Sequence, residues 1–186
     1  MDLKQAIYGR RATRAYTPEP VDQAELEALI DAAIQAPSAI NLQPWAFCIV
    51  RNAALLTRIS HEAKALMLKS SPPATPSPHF ADMVANPDFQ IFYHAPALVL
   101  ICAVGQDAWS PTDCTLAAQN LMLAAHGRGL GSCWIGFAQG WLETEAGRAA
   151  LDLPANWKPV APIILGHPDG TPPAPQRNKP KLLWHS

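Results

Sequence analysis

The chain of 186 residues is about as long as one domain, and its 49% of hydrophobic residues excludes an intrinsically disordered protein. Only 16% of the residues are charged, against about 25% in an average globular protein, so we expect part of the apolar surface to pair with another subunit. The formal net charge of −1 excludes a polybasic membrane binder and a protein that coats nucleic acid through its charge.

The sequence favours a cytoplasmic protein with neither a membrane nor a nucleic acid as its partner. The apolar stretch at residues 95–104 is far shorter than the roughly 20 residues that cross a bilayer. The start of the chain, Met1-Asp2-Leu3-Lys4, lacks the basic and then apolar form of a signal peptide. The cysteines have no CxxC spacing and no histidine at ligand spacing, so we expect buried, reduced thiols and no metal site at Cys48, Cys102, Cys114 and Cys133.

The first half of the sequence predicts two helices, a strand and a third helix. Asp2 caps the first helix, which ends near Gly9 and carries an apolar face of Leu3, Ala6 and Ile7. Asp22 and Glu25 resemble a capping box for the second helix, which stops before Pro37 and has an apolar stripe of Leu26, Leu29, Ile30, Ala33 and Ile34. A buried strand follows at Trp45–Val50, and then a helix at residues 53–69.

The second half begins with a proline-rich loop at residues 70–90. Next come a central strand at residues 97–103 and a helix at residues 113–128, whose small residues on all sides predict full burial. Shorter elements follow at residues 132–135 (strand), 143–151 (helix) and 159–165 (strand). Because helices alternate with short buried strands, we expect an α+β fold in three layers, formed by one domain over residues 1–186.

Positive charge is concentrated at the two ends of the chain. Residues 1–20 carry a net charge of +2 and residues 171–186 a net charge of +3, which leaves −6 for the middle. Two basic ends of this kind can gather around one small anionic ligand. Charge alone favours the alternative, in which both ends are extended and simply solvated.

Three stretches carry residues suited to a ligand. Arg10, Arg11 and Arg14 form a cationic group after the first helix, and guanidinium groups bind phosphate. Residues 36–45 place hydroxyl and amide groups beside apolar walls, as a planar heteroaromatic ligand requires. Residues 129–136 contain glycines that let the backbone approach a ligand. Each stretch also fits a structural role: solvated arginines, a helix-to-strand connector and a helix C-cap. No dinucleotide-binding GxGxxG, Walker or GxSxG motif is present.

In this order the stretches resemble the FMN-dependent nitroreductase family. Arg-Arg-x-x-Arg follows the first helix, Pro20-Val-Asp opens the second, and Ala36-Pro-Ser-x-x-Asn-x-Gln-Pro-Trp45 comes next. Ala95-Pro96, then Asp113 and then Gly129-Leu-Gly-Ser-Cys-Trp-Ile-Gly136 continue the pattern, and Gly166-His-Pro with a single arginine closes it. The resemblance runs through nearly the whole chain.

The resemblance implies a three-layer α/β/α sandwich with a mainly antiparallel sheet, and a homodimer with two FMN sites at its interface. In such proteins the residues that match Arg10, Arg11, Ala12, Arg14 and Arg177 hold the flavin phosphate and ring edge. Those that match Trp134, Ile135 and Gly136 line the isoalloxazine, and the partner subunit contributes Pro37, Ser38, Ala39 and Asn41. Position 12 is usually serine in this family, so Ala12 predicts weaker FMN binding. Asn86 and Asp88 are candidates for the mid-chain flavin contacts.

The implied activity is electron transfer from NAD(P)H, through FMN in a ping-pong cycle, to a small acceptor such as a nitroaromatic, quinone or enone. No side chain stands out as a catalytic residue. Two alternatives stay open: an enzyme of the same fold that spends reduced flavin on O2 or on the flavin itself, and a flavin-binding module without turnover.

Overall fold

The computed structural model describes residues 1–69, 83–105 and 107–185. Its helices are α1 (Leu3–Gly9), α2 (Gln23–Ala33), α3 (Ala53–Lys69), α4 (Ser110–Gly127), α5 (Gln139–Leu142) and α6 (Glu145–Ala150). Its strands are β1 (Trp45–Val50), β2 (Ala97–Ala103), β3 (Gly131–Trp134) and β4 (Lys158–Gly166). Short 3-10 turns occupy Ala39–Asn41 and Gly136–Ala138. Most of the predicted proline-rich loop, residues 70–82, lies outside the described residues.

The four strands form one sheet in the order β1-β2-β4-β3, and each neighbouring pair is antiparallel. Beyond β3, Ala12 adds a single parallel bridge to Ser132. The mainly antiparallel sheet predicted from the sequence is therefore confirmed.

Alternation along β2 divides the core into two halves, one on each face of the sheet. Ala97, Val99 and Ile101 face the half that contains α2 and α4. Leu98, Leu100 and Cys102 face the half that contains α3 and α5. Because β2 is buried along its whole length, it is apolar at every position. The helices on both faces confirm the predicted three-layer sandwich.

Helix α2 begins where predicted but without the predicted cap, and α4 begins earlier than predicted. Asp22 precedes α2, but its side chain makes no capping hydrogen bond. Helix α4 begins at Ser110, three residues before the predicted start, because the Asp107 carboxylate accepts hydrogen bonds from the backbone N–H groups of Trp109 and Ser110, both at 2.9 Å. These hydrogen bonds hold the pKa of Asp107 below its usual value, with the Ser110 hydroxyl as the largest contribution.

Helix α4 is buried on one face only, so the predicted full burial is wrong for the single chain. Its small residues pack closely against the sheet through Cys114, Ala117, Ala118, Leu121 and Ala125. The opposite face, with Thr112, Thr115, Leu116 and Gln119, is exposed. Small side chains permit close packing on every side of a helix, but they do not by themselves supply a neighbour on each side.

The four cysteines are free thiols, as predicted; three are buried and Cys48 is half-buried. Burial raises the pKa of Cys102 and of Cys114 to about 12, so both remain protonated at neutral pH. No cluster of three or more metal-binding side chains occurs in residues 1–69, 83–105 and 107–185. Within the same ranges, every helix is too short or too polar to cross a bilayer.

Candidate functional site

The candidate site is built on the close approach of the chain after α1 to strand β3. The Thr13 N–H donates to the Ser132 carbonyl at 3.0 Å, next to the bridge between Ala12 and Ser132. A Cβ at Gly131 would lie 2.7 Å from the Thr13 side chain, closer than unbonded carbon atoms approach. Glycine at position 131 therefore allows residues 10–14 to run beside the strand.

A basic cavity lies on one side of this contact and has a volume of about 270 Å³. Arg10, Arg11 and His126 line it together with Thr13, Ser132 and several glycines, and none of the described residues that line it has a carboxylate. Burial, followed by the charges of Arg10 and Arg11, lowers the pKa of His126. Positive groups that converge without a counter-charge favour an anionic ligand.

The two arginines of the basic cavity differ in their own contacts. The Arg11 guanidinium donates to the backbone carbonyls of Tyr8 at 2.6 Å and of Arg10 at 2.9 Å, so it closes the end of α1. Arg10 is half-buried at the cavity wall. Arg11 thus serves the helix end as well as the cavity.

An aromatic cavity of about 420 Å³ lies on the other side. Its walls are mainly apolar and aromatic, and Arg14 is the one charged side chain among the described residues that line it. The other described residues of the lining are Met83, Tyr93, Cys133, Trp134, Ile135, Gly136 and Phe137. Burial raises the pKa of Tyr93 and of Cys133, and the nearby Arg14 opposes the rise in both. Neutral aromatic walls with one fixed cation suit a planar, polar-edged ligand.

Consecutive residues of β3 line the two cavities. Gly131 and Ser132 line the basic cavity, and the next two residues, Cys133 and Trp134, line the aromatic cavity. A four-residue strand is roughly 13 Å long at its usual rise per residue. We call the two cavities together the β3 groove; it has a basic end and an aromatic end.

The predicted contacts at Pro37, Ser38, Ala39 and Asn41 belong to a separate turn, residues 37–43. The Ala39 N–H donates to the buried Asp113 carboxylate at 3.1 Å, and the Gln43 N–H donates to the Ser38 hydroxyl at 3.0 Å. Ile40, Asn41 and Gln43 all have a positive φ, which strains a β-branched residue such as Ile40 most. Ile40 is nevertheless 91% exposed. Such strain persists where the surroundings hold the backbone in place, as Asp113 does here.

Helix α4 separates this turn from the β3 groove. Asp113 lies near its start and His126 near its end, roughly 20 Å apart at the usual helical rise. Within one chain the turn therefore does not join Arg10, Arg11 and Arg14. Arg177 lies in the exposed tail and lines neither cavity.

The mid-chain candidates Asn86 and Asp88 line neither cavity. The Asn86 side chain accepts a hydrogen bond from the Asp88 N–H at 2.9 Å, and the Lys64 ammonium donates to the carbonyls of Asn86 at 2.6 Å and of Phe89 at 3.1 Å. This region positions the backbone that leads to Tyr93.

Sequence reasoning missed several groove residues, namely Thr13, Met83, Tyr93, His126, Ser132, Cys133 and Phe137. Ser132 and Cys133 lie inside the stretch at residues 129–136 that the sequence analysis singled out. Because side chains alternate in direction along a strand, the sequence could have indicated that these two residues line different cavities. His126 stands alone on a helix, and no spacing in the sequence connects it to Arg10. A larger surface concavity of about 590 Å³ is lined by Pro18, Arg51 and His94 among others. None of the predicted cofactor-binding residues lines it.

Comparisons with known proteins identify the family and the fold. The model of the nitroreductase family matches residues 7–167. A protein of Methanothermobacter thermautotrophicus, provisionally named NADH dehydrogenase/NAD(P)H nitroreductase, is 31% identical over 92% of this chain and 80% of its own length. The 5,6-dimethylbenzimidazole synthase of Rhodospirillum rubrum is 30% identical over 95% of this chain and 86% of its own. The crystal structure of a Bacteroides fragilis nitroreductase with bound FMN superposes with a TM-score of 0.84, at 26% identity, over 100% of this chain and 99% of the other.

Replacing Asp113 should release the turn at residues 37–43. We expect Asp113→Ala to lower the free energy of unfolding by about 1–3 kcal/mol, because the Ala39 N–H loses its charged acceptor. Hydrogen exchange at the Ala39 amide should accelerate in this variant. Asp113→Asn keeps one acceptor oxygen and should retain most of the protection, and Asp31→Ala on the exposed side of α2 is the control. Unchanged exchange at Ala39 in Asp113→Ala would show that the carboxylate does not hold the turn.

Proposed function

The chain belongs to the nitroreductase family, and we propose that it is an FMN-dependent oxidoreductase. The β3 groove carries the proposal, because its basic end suits a phosphate and its aromatic end suits a flat heteroaromatic ring. FMN has these two groups at opposite ends of one molecule. The FMN bound in the Bacteroides fragilis structure supports the same assignment.

Arg10 would hold the flavin phosphate at the basic end, with Arg11 beside it. Ala12 has no hydroxyl to offer, and it contributes through its backbone bridge to Ser132. Arg177 is exposed on a basic tail, and we propose that it reaches the same phosphate as a further cation. Among the described residues of the cavity wall, none has a carboxylate that would compete with the ligand for the arginines.

Arg14, Trp134, Ile135 and Gly136 would hold the ring at the aromatic end. A Cβ at Gly136 would meet no atom within 4 Å, so its backbone borders open space. Arg14 supplies positive charge at the ring edge, where a reduced flavin gains negative charge. Trp134 and Ile135 exclude water from one side of the groove.

When bound, FMN supplies the redox chemistry: it takes a hydride from NAD(P)H and, after the nicotinamide leaves, passes electrons to a small acceptor such as a nitroaromatic, quinone or enone. The name of the Methanothermobacter relative supports NAD(P)H as the donor. The protein's part is to bind and orient. Burial keeps Cys133 and Tyr93 neutral at pH 7, so neither acts as a base there, and water can deliver the protons.

We further propose that the protein is a homodimer in which each β3 groove receives the 37–43 turn of the other subunit. The exposed face of α4 is uncharged, and large apolar side chains are exposed at both of its ends: Ile40 and Trp109 at one, Leu3, Ile7 and Tyr8 at the other. A two-fold axis across α4 would set the helix against its own copy in the opposite direction. The start of one α4 would then meet the end of the other, which brings the turn to the partner's cavity.

A spectroscopic cycle tests the activity. We expect the purified protein to be yellow with FMN, to bleach on addition of NADPH or NADH without oxygen, and to recover its colour with a nitroaromatic or a quinone. The measurement is anaerobic stopped-flow absorbance at the flavin band.

Each alternative has its own result in the same cycle. A reduced protein that recovers only with O2 would indicate the oxygen-consuming enzyme, and a yellow protein inert to both nicotinamides would indicate a module without turnover. A colourless protein that ignores added FMN contradicts all three.

The phosphate contacts predict selective losses of affinity. Arg10→Ala and Arg177→Ala should each weaken FMN about ten- to a hundredfold, because a hydrogen bond to a charged group contributes roughly 1.5–3 kcal/mol. Riboflavin has no phosphate and should bind both variants like the unchanged protein. Arg51→Ala, far from the β3 groove, is the control. Titration of both flavins into the apoproteins measures the two affinities. Equal losses of affinity for FMN and riboflavin would exclude a phosphate contact.

The dimer predicts complementation between two damaged chains. In a heterodimer of Ser38→Trp with Arg10→Ala, both changes should fall on one site and leave the other intact, so half of the FMN should remain bound. If instead each chain builds its own site from its own turn, both sites are weakened. Flavin absorbance per heterodimer distinguishes the two results. Sedimentation of an FMN-loaded monomer at micromolar concentration would refute the dimer itself.

A further inference from the structure

We propose that His126 is a phosphate-binding residue of the basic cavity and that it takes up a proton when the phosphate enters. The inference rests on the proposed function for the identity of the ligand, FMN. It assigns a role to a residue that no motif in the sequence marked. The chemistry is binding of a phosphate dianion by an imidazolium group.

The position of His126 is set by the junction of α1 and α4. The residue lies in the last turn of α4 and is half-buried. A Cβ at Gly9 would lie 2.6 Å from its Nε2 atom, so the ring packs directly against the backbone at Gly9 and would have to shift if this residue had a side chain. The ring lines the basic cavity, as do the tail residues Pro168, Gly170, Thr171 and Pro172. The carbonyl end of a helix favours a positive charge at this position.

The charged side chains that line the basic cavity beside His126 are positive. The charges of Arg10 and Arg11, in the segment after α1, act on His126, and Met1 also lines the cavity. Asp2 and Asp169 are next in sequence to lining residues, but they do not line the cavity themselves. Burial, followed by the charges of Arg10 and Arg11, favours the neutral form of His126 and lowers its pKa.

A phosphate dianion reverses this balance. Its two negative charges offset Arg10 and Arg11 and stabilise a charged imidazolium in the same cavity. One proton passes from the solvent to a ring nitrogen, which then donates a hydrogen bond to a phosphate oxygen. No other bond forms or breaks. Binding and protonation are linked, so FMN should bind more tightly as the pH falls towards the pKa of the phosphate itself, near 6.

The contacts of its neighbours leave room for such a donor. Part of the Arg11 guanidinium is held by the carbonyls of Tyr8 and Arg10, and Ala12 supplies no hydroxyl. His126 lies at the same cavity and can supply the missing donor. A purely structural role for the ring, as a spacer between α1 and α4, would give no preference between FMN and riboflavin.

NMR titration of the histidine rings in the full-length protein tests the proposal directly. The pKa of His126 should rise by about one unit or more with saturating FMN, or with inorganic phosphate, and should not change with riboflavin. Calorimetry of FMN binding at pH 7.5 in buffers of different ionisation enthalpy should show net proton uptake. His126→Gln should remove that uptake and weaken FMN about tenfold at pH 6.5, with a smaller loss at pH 8.5. His61→Gln, on the exposed side of α3, is the matched control.

The outcomes separate this inference from the proposed function. An unchanged pKa of His126 in a protein that binds FMN overturns the inference and leaves the proposed function intact. A protein that ignores flavins while phosphate raises the pKa of His126 keeps the phosphate-binding role and overturns the proposed function. Should His126→Gln fail to fold, His126→Asn provides the resonance assignment, and the titration of the unchanged protein decides the question.

Discussion

The hydrogen bond from the Thr13 N–H to the Ser132 carbonyl is the contact on which the rest of the site depends. It fixes residues 10–14 beside β3, so that Arg10 and Arg11 lie at one end of the groove and Arg14 at the other. The approach is possible only because position 131 has no side chain. One backbone contact thus divides the arginine cluster between the two cavities, where we propose different roles for its members.

Much of the fold could be predicted because the sequence marks where several of its helices and strands begin and end. Strand β2 is apolar throughout and is buried throughout, and β1 and α3 have the predicted limits. The start of α4 was missed because Asp107 caps it from the preceding turn, a contact that the predicted boundary at Asp113 did not consider. Its burial was overestimated because composition describes how closely a helix can pack, whereas burial depends on which neighbours the chain provides.

The site could be predicted in part. The structure brings together Arg10–Arg14 and residues 131–136, which are two of the three predicted stretches, because both lie at the same edge of the sheet. It keeps the third, the turn at residues 37–43, at the other end of α4, where Asp113 holds it. Arg177 lies on an exposed tail whose sequence does not set its direction. His126 escaped prediction because its contact with Gly9 is purely tertiary.

The length of α4 sets the distance between the two parts of the proposed binding site, the 37–43 turn and the basic cavity. One residue inserted between Asp113 and His126 would rotate everything beyond it by about 100° and shift it by about 1.5 Å. The buried stripe of the helix would then turn away from the sheet, and the imidazole would leave the space beside Gly9. Insertions in this helix should therefore damage the core and the ligand site at once. The number of residues from Ser110 to Gly127 therefore sets both the packing of the core and the geometry of the proposed binding site.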